Sequence, residues 1–164
     1  MEHSCLYESR IGVLEIREED GSITGLCLRE KIKRTAENWE DTVSFPEPST
    51  PLLSKACRQL TEYFSGKRKV FDLPLDFSYG TEFQKKVWTA LCDIPYGETR
   101  SYADIAIAAG SPKAVRAVGQ ANTRNPIMIF VPCHRVINKN GSIGGFGCGV
   151  DVKRQLLEVE AVRI

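Results

Sequence analysis

Apolar and polar residues alternate along the first 30 residues of the chain, most regularly in SRIGVLEIREEDGSITGLCLRE. An alternation of period two places every second side chain on one face, so this pattern predicts strands with one buried face. Asp20-Gly21 interrupts the alternation with a dipeptide that favours a two-residue hairpin turn. The first 30 residues therefore predict antiparallel β-structure.

A helical repeat follows after a polar segment. Residues 31–49 are mostly polar and contain two prolines, which is typical of a loop. In TPLLSKACRQLTEYFSG, apolar residues recur three and four positions apart, as they do on the buried face of a helix. Thr50 and Pro51 suit its N-cap and first turn, and the helix is expected to end at Gly66.

The second half of the chain has the pattern of several short helices. Thr81 and Gln84 have the spacing of a capping box at the start of TEFQKKVWTALC, which carries an apolar stripe. Ser101 and Asp104 have the same spacing, and they predict a short helix over 102–109. Both segments are therefore expected to begin with a side-chain cap.

A further helix completes a helix-turn-helix. Ser111 and Pro112 suit the start of a helix over 112–122, and Gly110 lies in the turn before it. The side chains expected to pack inward are those of Ala114, Val115, Val118 and Ala121. The side chains expected to face outward are those of Lys113, Arg116, Ala117 and Gln120. A small, basic outward face suits a nucleic-acid backbone, although helix pairs are also common in proteins that never touch DNA.

These elements predict an α/β fold with two domains. The segment KVFDLPLDFSYG is extended and interrupted by a proline, and we interpret it as the connection between them. Residues 1–75 are expected to form a small α/β domain with an antiparallel sheet. Residues 76–164 are expected to form a mainly helical domain that contains the helix-turn-helix.

Charge is distributed unevenly between the two halves. Residues 1–79 carry 11 basic and 14 acidic side chains and residues 80–164 carry 11 basic and 7 acidic ones, so the net charges are −3 and +4. A basic second half indicates an anionic partner there. No apolar run approaches the roughly 20 residues of a membrane span. Since Met1–Arg10 also lacks a signal-peptide pattern, we expect a cytoplasmic protein with no membrane partner.

Six cysteines are widely spaced and none forms a CxxC pair, which excludes zinc-knuckle and thioredoxin-like motifs. His3 and Cys5 alone are too few for a metal site, so no metal is expected. Cys133 differs from the other thiols, because the segment PCHR places it beside an imidazole and a guanidinium. The preceding NPIMIFVP predicts a short buried strand that would deliver this thiol.

Glu160 offers His134 a partner. The last helix is predicted over 151–162, and Glu160 lies four residues after Leu156, on or beside the buried stripe. A carboxylate on an apolar face requires a partner, and His134 is the only histidine outside the N-terminal segment. Such a pair would let the imidazole draw a proton from Cys133, through a water or across a turn. The alternative on these residues alone is a satisfied core histidine beside a buried thiol.

The chain resembles the O6-alkylguanine-DNA alkyltransferases almost continuously over residues 80–160. The resemblance rests on VPCHRVIN, GGFGCG and KRQLLEVE, and upstream on GTEFQKKVW, IPYGETRSYADIA, AVRAVGQA and NP. Residues 1–79 match only weakly, as the α/β N-terminal domain of that family. The resemblance implies direct-reversal DNA repair, in which an alkyl group moves irreversibly from guanine O6 to a cysteine without a cofactor. Thymine O4 is the second candidate donor.

The resemblance also implies a role for each matching residue. Cys133 is the alkyl acceptor, and His134 and Glu160 complete a Cys–water–His–Glu relay. Tyr102 crowds the phosphate of the flipped nucleotide and donates a proton toward the leaving base. Arg116 enters the base stack through the minor groove. Such a protein is a single-turnover methyltransferase, because nothing regenerates the thioether.

Further implied contacts surround the flipped base. Asn125 ties the recognition helix to the active-site strand, and backbone carbonyls near Cys133 and Val136 hold the exocyclic amine of the guanine. Phe146 and Gly147 stand where some relatives have a tyrosine and a serine. A backbone N–H of this loop would then replace the hydroxyl at O6, and the pocket would admit bulkier alkyl groups.

Two other functions stay open on the sequence. A helix-turn-helix DNA-binding protein with a structural Cys133 is one, and the PCHR segment together with Glu160 argues against it. A cysteine hydrolase is the other, and it would turn over repeatedly and have no use for Arg116. The expected partner is double-stranded DNA containing O6-alkylguanine, bound by a monomer.

Overall fold

Three antiparallel strands form the sheet of the N-terminal unit. They are β1 (Glu2–Ser9), β2 (Gly12–Glu19) and β3 (Ser22–Glu30), in the order β1-β2-β3. The structure is a computed structural model that describes residues 1–30 and 45–162. Asp20 and Gly21 have positive φ angles of 50° and 81°, as a two-residue hairpin turn requires. The predicted strands and turn are confirmed, and most of the predicted loop, residues 31–44, lies outside the described residues.

Helix α1 (Pro51–Phe64) packs against β1 and β2. The hydroxyl of Thr50 caps it by accepting a hydrogen bond from Leu53 N at 3.1 Å. The core of this unit contains apolar side chains from the sheet and the helix, among them Leu14, Ile16, Ile23, Leu26, Leu53 and Leu60. The predicted helix is confirmed, and Gly66 follows its C-cap with a φ of 78°.

The segment predicted as a connection is partly bound to this sheet. Leu75 forms a parallel bridge with Ile23. Ile23 N donates to the carbonyl of Pro74 at 2.7 Å, and Asp76 N donates to the carbonyl of Ile23 at 2.9 Å. Contacts along the chain divide it into the units Met1–Asp76 and Phe77–Ile164.

The C-terminal unit is mainly helical. Its elements are α2 (Glu82–Cys92), β4 (Arg100–Ser101), α3 (Tyr102–Ala108), α4 (Val115–Thr123), β5 (Val136–Ile137) and α5 (Val150–Val159). Strands β4 and β5 pair in parallel, and α2, α3 and α4 contact one another. Trp88 Nε1 on α2 donates to the carbonyl of Ala121 on α4 at 2.9 Å. The predicted order of a small sheet domain followed by a helical domain is confirmed.

Thr81→Ala is expected to lower the free energy of unfolding by about 1 kcal/mol, because it removes the N-cap of α2. Gln84 N donates to Thr81 Oγ1 at 3.1 Å, and Thr81 N donates to Gln84 Oε1 at 3.0 Å, so both halves of the capping box are present. Thr89→Ala is the matched control, since Thr89 is exposed within the same helix. Equal losses in denaturant unfolding of the two variants would contradict the capping role.

Helix α4 begins later than the sequence pattern predicts. It starts at Val115, three residues after the predicted Pro112, and its N-cap Ala114 makes no side-chain capping bond. Ala114 N instead donates to the carbonyl of Ser111 at 2.9 Å, which closes a separate turn. Val115, the first residue of the helix, is 40% exposed rather than in the core as predicted, while Val118 is fully buried.

The segment NPIMIFVP is a buried turn, so the predicted strand is wrong. Its apolar side chains are buried, but Ile129 has a φ of 71°, in the left-handed region. Asn125 spans the turn: its Nδ2 donates to the carbonyl of Val131 at 2.8 Å, and its Oδ1 accepts from Ile127 N at 3.0 Å. An apolar run of this length records burial without distinguishing a strand from a turn.

Candidate active site

Cys133 begins a 3₁₀ turn, Cys133–Arg135, that leads directly into β5. The side chain of Cys133 is 4% exposed. Its backbone N–H donates to the carbonyl of Val131 at 2.8 Å, so the buried turn described above positions it. Side chains one residue apart lie on opposite faces of a strand, whereas a 3₁₀ turn rotates by about a third of a revolution per residue.

The Cys133 thiol is protonated at rest. Burial raises its pKa to about 11, although a hydrogen bond from the side chain of Asn125 acts in the opposite direction. At neutral pH the group is therefore a thiol, which is a weak nucleophile compared with a thiolate. Any reaction of Cys133 as a nucleophile requires a base that takes the proton.

His134 and Glu160 are the candidates for such a base. His134 Nε2 lies 2.5 Å from Glu160 Oε2, and both side chains are fully buried. Burial lowers the pKa of His134, against the carboxylate, which raises it. The imidazole is thus neutral, and its bond to a carboxylate assigns the proton to Nε2. Nδ1 is then the basic nitrogen, and it has no hydrogen-bond partner within the described part of the chain.

Arg135 is a second partner of Glu160, and sequence reasoning missed it. Arg135 Nε donates to Glu160 Oε1 at 2.8 Å and Nη2 donates to Oε2 at 3.2 Å, a bidentate arrangement. Its Nη1 donates to the carbonyl of Ile94 at 2.6 Å. The signal was available, because a carboxylate accepts at several positions and Arg135 directly follows His134 in the sequence.

Glu160 lies just beyond helix α5, since the helix ends at Val159 rather than at the predicted 162. Ala161, with a φ of 60°, turns the chain away. Burial alone would raise the pKa of Glu160, but hydrogen bonds from His134 and Arg135 and the charge of Arg135 outweigh it and lower the pKa to about 2. The group is therefore a carboxylate, balanced by a buried guanidinium.

Lys153 is another buried cation that sequence reasoning missed. It is fully buried on α5, and its Nζ donates to the carbonyls of Val136 at 2.5 Å and Gly145 at 3.2 Å. Burial lowers its pKa to about 8. Its position three residues before Leu156, on the buried stripe of the helix, was the signal that could have found it.

A cavity of about 440 Å³ lies beside this cluster. Its lining residues are Tyr102, Val115, Gly119, Thr123, Asn138, Gly144, Gly145, Phe146 and Gly147. The structure thus brings Tyr102 and Gly147 together, with α4 and the glycine-rich loop as walls. Burial raises the pKa of Tyr102, so its phenol keeps its proton. Val115 and Gly119 were not expected here, and both lie on α4.

The other predicted site residues are not among those that line this cavity. Val136 is fully buried in β5, and Asn125 is half-buried below the turn that carries Cys133. Arg116 is exposed on α4. Within residues 1–30 and 45–162, no three His, Cys, Asp or Glu side chains converge as metal ligands. The helices described there include none that is long and apolar enough to cross a bilayer.

Known proteins match this chain over both of its units. The family model described as 6-O-methylguanine DNA methyltransferase, DNA binding domain, matches residues 82–162. The model described as 6-O-methylguanine DNA methyltransferase, ribonuclease-like domain, matches residues 3–77. The constitutive methylated-DNA–protein-cysteine methyltransferase of Bacillus subtilis (strain 168) is 52% identical over an alignment 164 residues long, which covers 99% of this chain and 97% of that protein.

Solved structures agree with the sequence matches. Mycobacterium tuberculosis OGT in complex with DNA is 46% identical with a TM-score of 0.80, over 94% of this chain and 90% of that chain. The methyltransferase from Pyrococcus kodakaraensis KOD1 is 28% identical with a TM-score of 0.68, over 99% of this chain and 100% of that chain. Sequence and structure thus agree along the whole length of the chain, which belongs to the 6-O-methylguanine DNA methyltransferase family.

Proposed function

We propose that this chain repairs O6-alkylated guanine in double-stranded DNA by moving the alkyl group irreversibly to Cys133. The observation that carries the assignment is the buried cluster in which a neutral His134, bound to Glu160, follows Cys133 in the same 3₁₀ turn. The names of its relatives support the reaction type. Thymine O4 is a second possible donor of the same chemistry.

The proposed reaction begins with a proton transfer. Nδ1 of His134 takes the thiol proton of Cys133, through a water or across the turn, and the carboxylate of Glu160 stabilises the imidazolium that forms. The thiolate then attacks the alkyl carbon, a C–S bond forms, and the bond between that carbon and O6 breaks. The electron pair passes into the guanine, which takes a proton from the Tyr102 phenol and leaves as a neutral base.

DNA binding has to extract the base from the stack before this step, at a cost of a few kcal/mol. We assign Arg116, exposed on α4, to the space that the base vacates. Asn125 fixes the turn between α4 and the thiol, and a backbone N–H near Gly147 approaches O6. The protein acts as a monomer on double-stranded DNA, in the cytoplasm.

The experiment that tests this function is a mass measurement. The protein is incubated with a duplex containing O6-methylguanine, and it should gain a single methyl group on the peptide that holds Cys133. Product should stop at about one equivalent per protein, because the nucleophile is consumed. Continued turnover would identify a hydrolase, and DNA binding without a mass gain would identify a structural cysteine.

Cys148 provides the matched control. It is partly buried near Met128, with its sulfur 3.8 Å from the Met128 sulfur. Cys148→Ser should take up as much methyl group as the unchanged protein, and Cys133→Ser should take up none. Methylation confined to Cys148 would show that the wrong thiol has been assigned.

A further inference from the structure

Two backbone carbonyls at the candidate site are each bound by a buried side-chain donor. Lys153 Nζ donates to the carbonyl of Val136 at 2.5 Å, and Asn122 Nδ2 donates to the carbonyl of Cys133 at 3.3 Å. A carbonyl oxygen has two lone pairs, so each can accept a second hydrogen bond from a ligand. Under the proposed function, these two carbonyls receive the exocyclic amine of the flipped guanine.

Lys153 contacts two of the residues that line the cavity, Gly145 and Tyr102. Besides Val136 it binds the carbonyl of Gly145, and its Nζ lies 5.9 Å from the centre of the Tyr102 ring. Both Gly145 and Tyr102 line the cavity, whereas Lys153 is fully buried. No ion pair to a carboxylate accompanies this lysine in the described residues. A buried ammonium held only by neutral groups is costly, which favours a role in the site.

Asn122 is likewise a buried polar side chain that binds a backbone carbonyl at the site. It lies on α4, is 4% exposed, and its Nδ2 binds the carbonyl of Cys133. Its Oδ1 is buried and has no hydrogen-bond partner among the described residues. A buried amide with an unsatisfied oxygen lowers stability, so packing does not explain its presence. Among the described residues, the one hydrogen bond of its side chain is directed at the residue that carries the thiol.

We propose that Lys153 and Asn122 are positioning residues that aim the carbonyls of Val136 and Cys133 at the 2-amino group of the flipped base. The proposal rests on the proposed function and deepens it, because it makes the site selective for purines that carry this group. Lys153 fixes one acceptor from α5, and Asn122 fixes the other from α4. Two acceptors fixed from separate helices discriminate because the second lone pair of each carbonyl has no donor when the amine is missing.

The test compares two duplexes that differ only in the 2-amino group. One contains O6-methylguanine, and the other contains O6-methylhypoxanthine, which lacks the amine. The measured quantity is the ratio of the second-order rate constants of methyl uptake from the two. The unchanged protein should prefer the guanine duplex. That ratio should fall about tenfold in Lys153→Met, which loses a charge-assisted bond, and about threefold in Asn122→Ala, which loses a neutral one.

Differences in flipping cost between the two duplexes cancel when the ratio of a variant is divided by that of the unchanged protein. Val152→Ala is the matched control, because Val152 is 2% exposed on the same helix and binds neither carbonyl. It should lose stability and keep the ratio. Asn122→Ala should fold, because the substitution removes an unsatisfied buried oxygen along with one hydrogen bond. This variant therefore decides the question if Lys153→Met does not fold.

Three results would overturn the proposal. The first is a folded variant that slows equally on both duplexes, as a merely structural role predicts. The second is an unchanged protein that takes the methyl group equally well from both, in which case the proposed function survives without this selectivity. The third is an absence of uptake from either duplex, which overturns the proposed function and this proposal with it.

Discussion

Glu160→Gln is expected to slow methyl uptake from DNA by at least about a hundredfold, the usual effect of losing general-base catalysis. A neutral amide cannot stabilise the imidazolium, so His134 becomes a weaker base and the Cys133 thiol keeps its proton to higher pH. Rates measured between pH 6 and 10 should be nearly level for the unchanged protein. They should rise with pH for the variant, as hydroxide replaces the imidazole. A variant with an unchanged profile and an intact fold would exclude the relay.

The same substitution should also destabilise the fold, because it leaves Arg135 as a buried cation without its carboxylate. Breaking a buried ion pair on one side costs about 3–5 kcal/mol. The pKa of Glu160 in the folded protein is about 2, against an ordinary value of 4.5. A lowered carboxyl pKa stabilises the fold fully above the unfolded value, and this contribution disappears as pH falls through the folded value. The stability difference between protein and variant should therefore shrink between about pH 4.5 and about pH 2.

Glu158→Gln is the matched control for both measurements. Glu158 lies on the exposed side of α5, two residues before Glu160. Its replacement by glutamine removes the same charge from the same region. Its rate profile and its unfolding free energy should remain those of the unchanged protein. A loss comparable to that of Glu160→Gln would mean that net charge, rather than the buried cluster, governs the reaction.

Arg116→Ala is expected to reduce methyl uptake from duplex DNA by about a hundredfold, which corresponds to the few kcal/mol of base extrusion that an inserted side chain offsets. Uptake from free O6-methylguanine base should change less than about twofold, because a free base needs no extrusion. Arg116 is exposed and forms no part of the buried cluster around Glu160. The rate constants for both substrates, measured on one preparation, give the comparison.

Lys113→Ala controls for the loss of a positive charge. Lys113 is exposed immediately before α4, so it can attract the DNA backbone without occupying the base stack. It should weaken duplex binding in a salt-dependent manner and leave the rate at saturating DNA unchanged. Equal losses by Arg116→Ala on the duplex and on the free base would remove the role in extrusion.

Predictions from the sequence succeed where the determining interaction is local. Thr81 and Gln84 satisfy each other within one turn of helix, and Asp20-Gly21 needs only its own backbone, so both were readable from spacing. The strand prediction for NPIMIFVP failed because its turn depends on Asn125, whose hydrogen bonds leave no periodic pattern in the sequence. The prediction of where α4 starts failed for a similar reason, since the Ser111–Ala114 turn competes with the cap that Ser111 and Pro112 predict.

The same distinction separates the contacts of the candidate site that were predicted from those that were missed. The pairing of Glu160 with His134 was predictable, because a buried carboxylate needs a partner and the chain contains two histidines. Arg135 and Lys153 were missed, because composition rules place arginine and lysine on the surface. The spacing signals described above indicate that the two side chains could be buried, but not that they bind the carbonyls of Ile94, Val136 and Gly145.

The left-handed conformation of Ile129 has a consequence for how the protein can evolve. A β-branched residue in this region of backbone space costs on the order of 1–3 kcal/mol, so the surrounding contacts have to hold the turn in this conformation. Two hydrogen bonds of Asn125 help to keep the population in the strained state. Sequence drift at position 125 would change how often the thiol is found where it can react, while leaving every reacting group in place. The reactivity of the thiol in this fold therefore depends partly on how firmly the turn is held in this conformation.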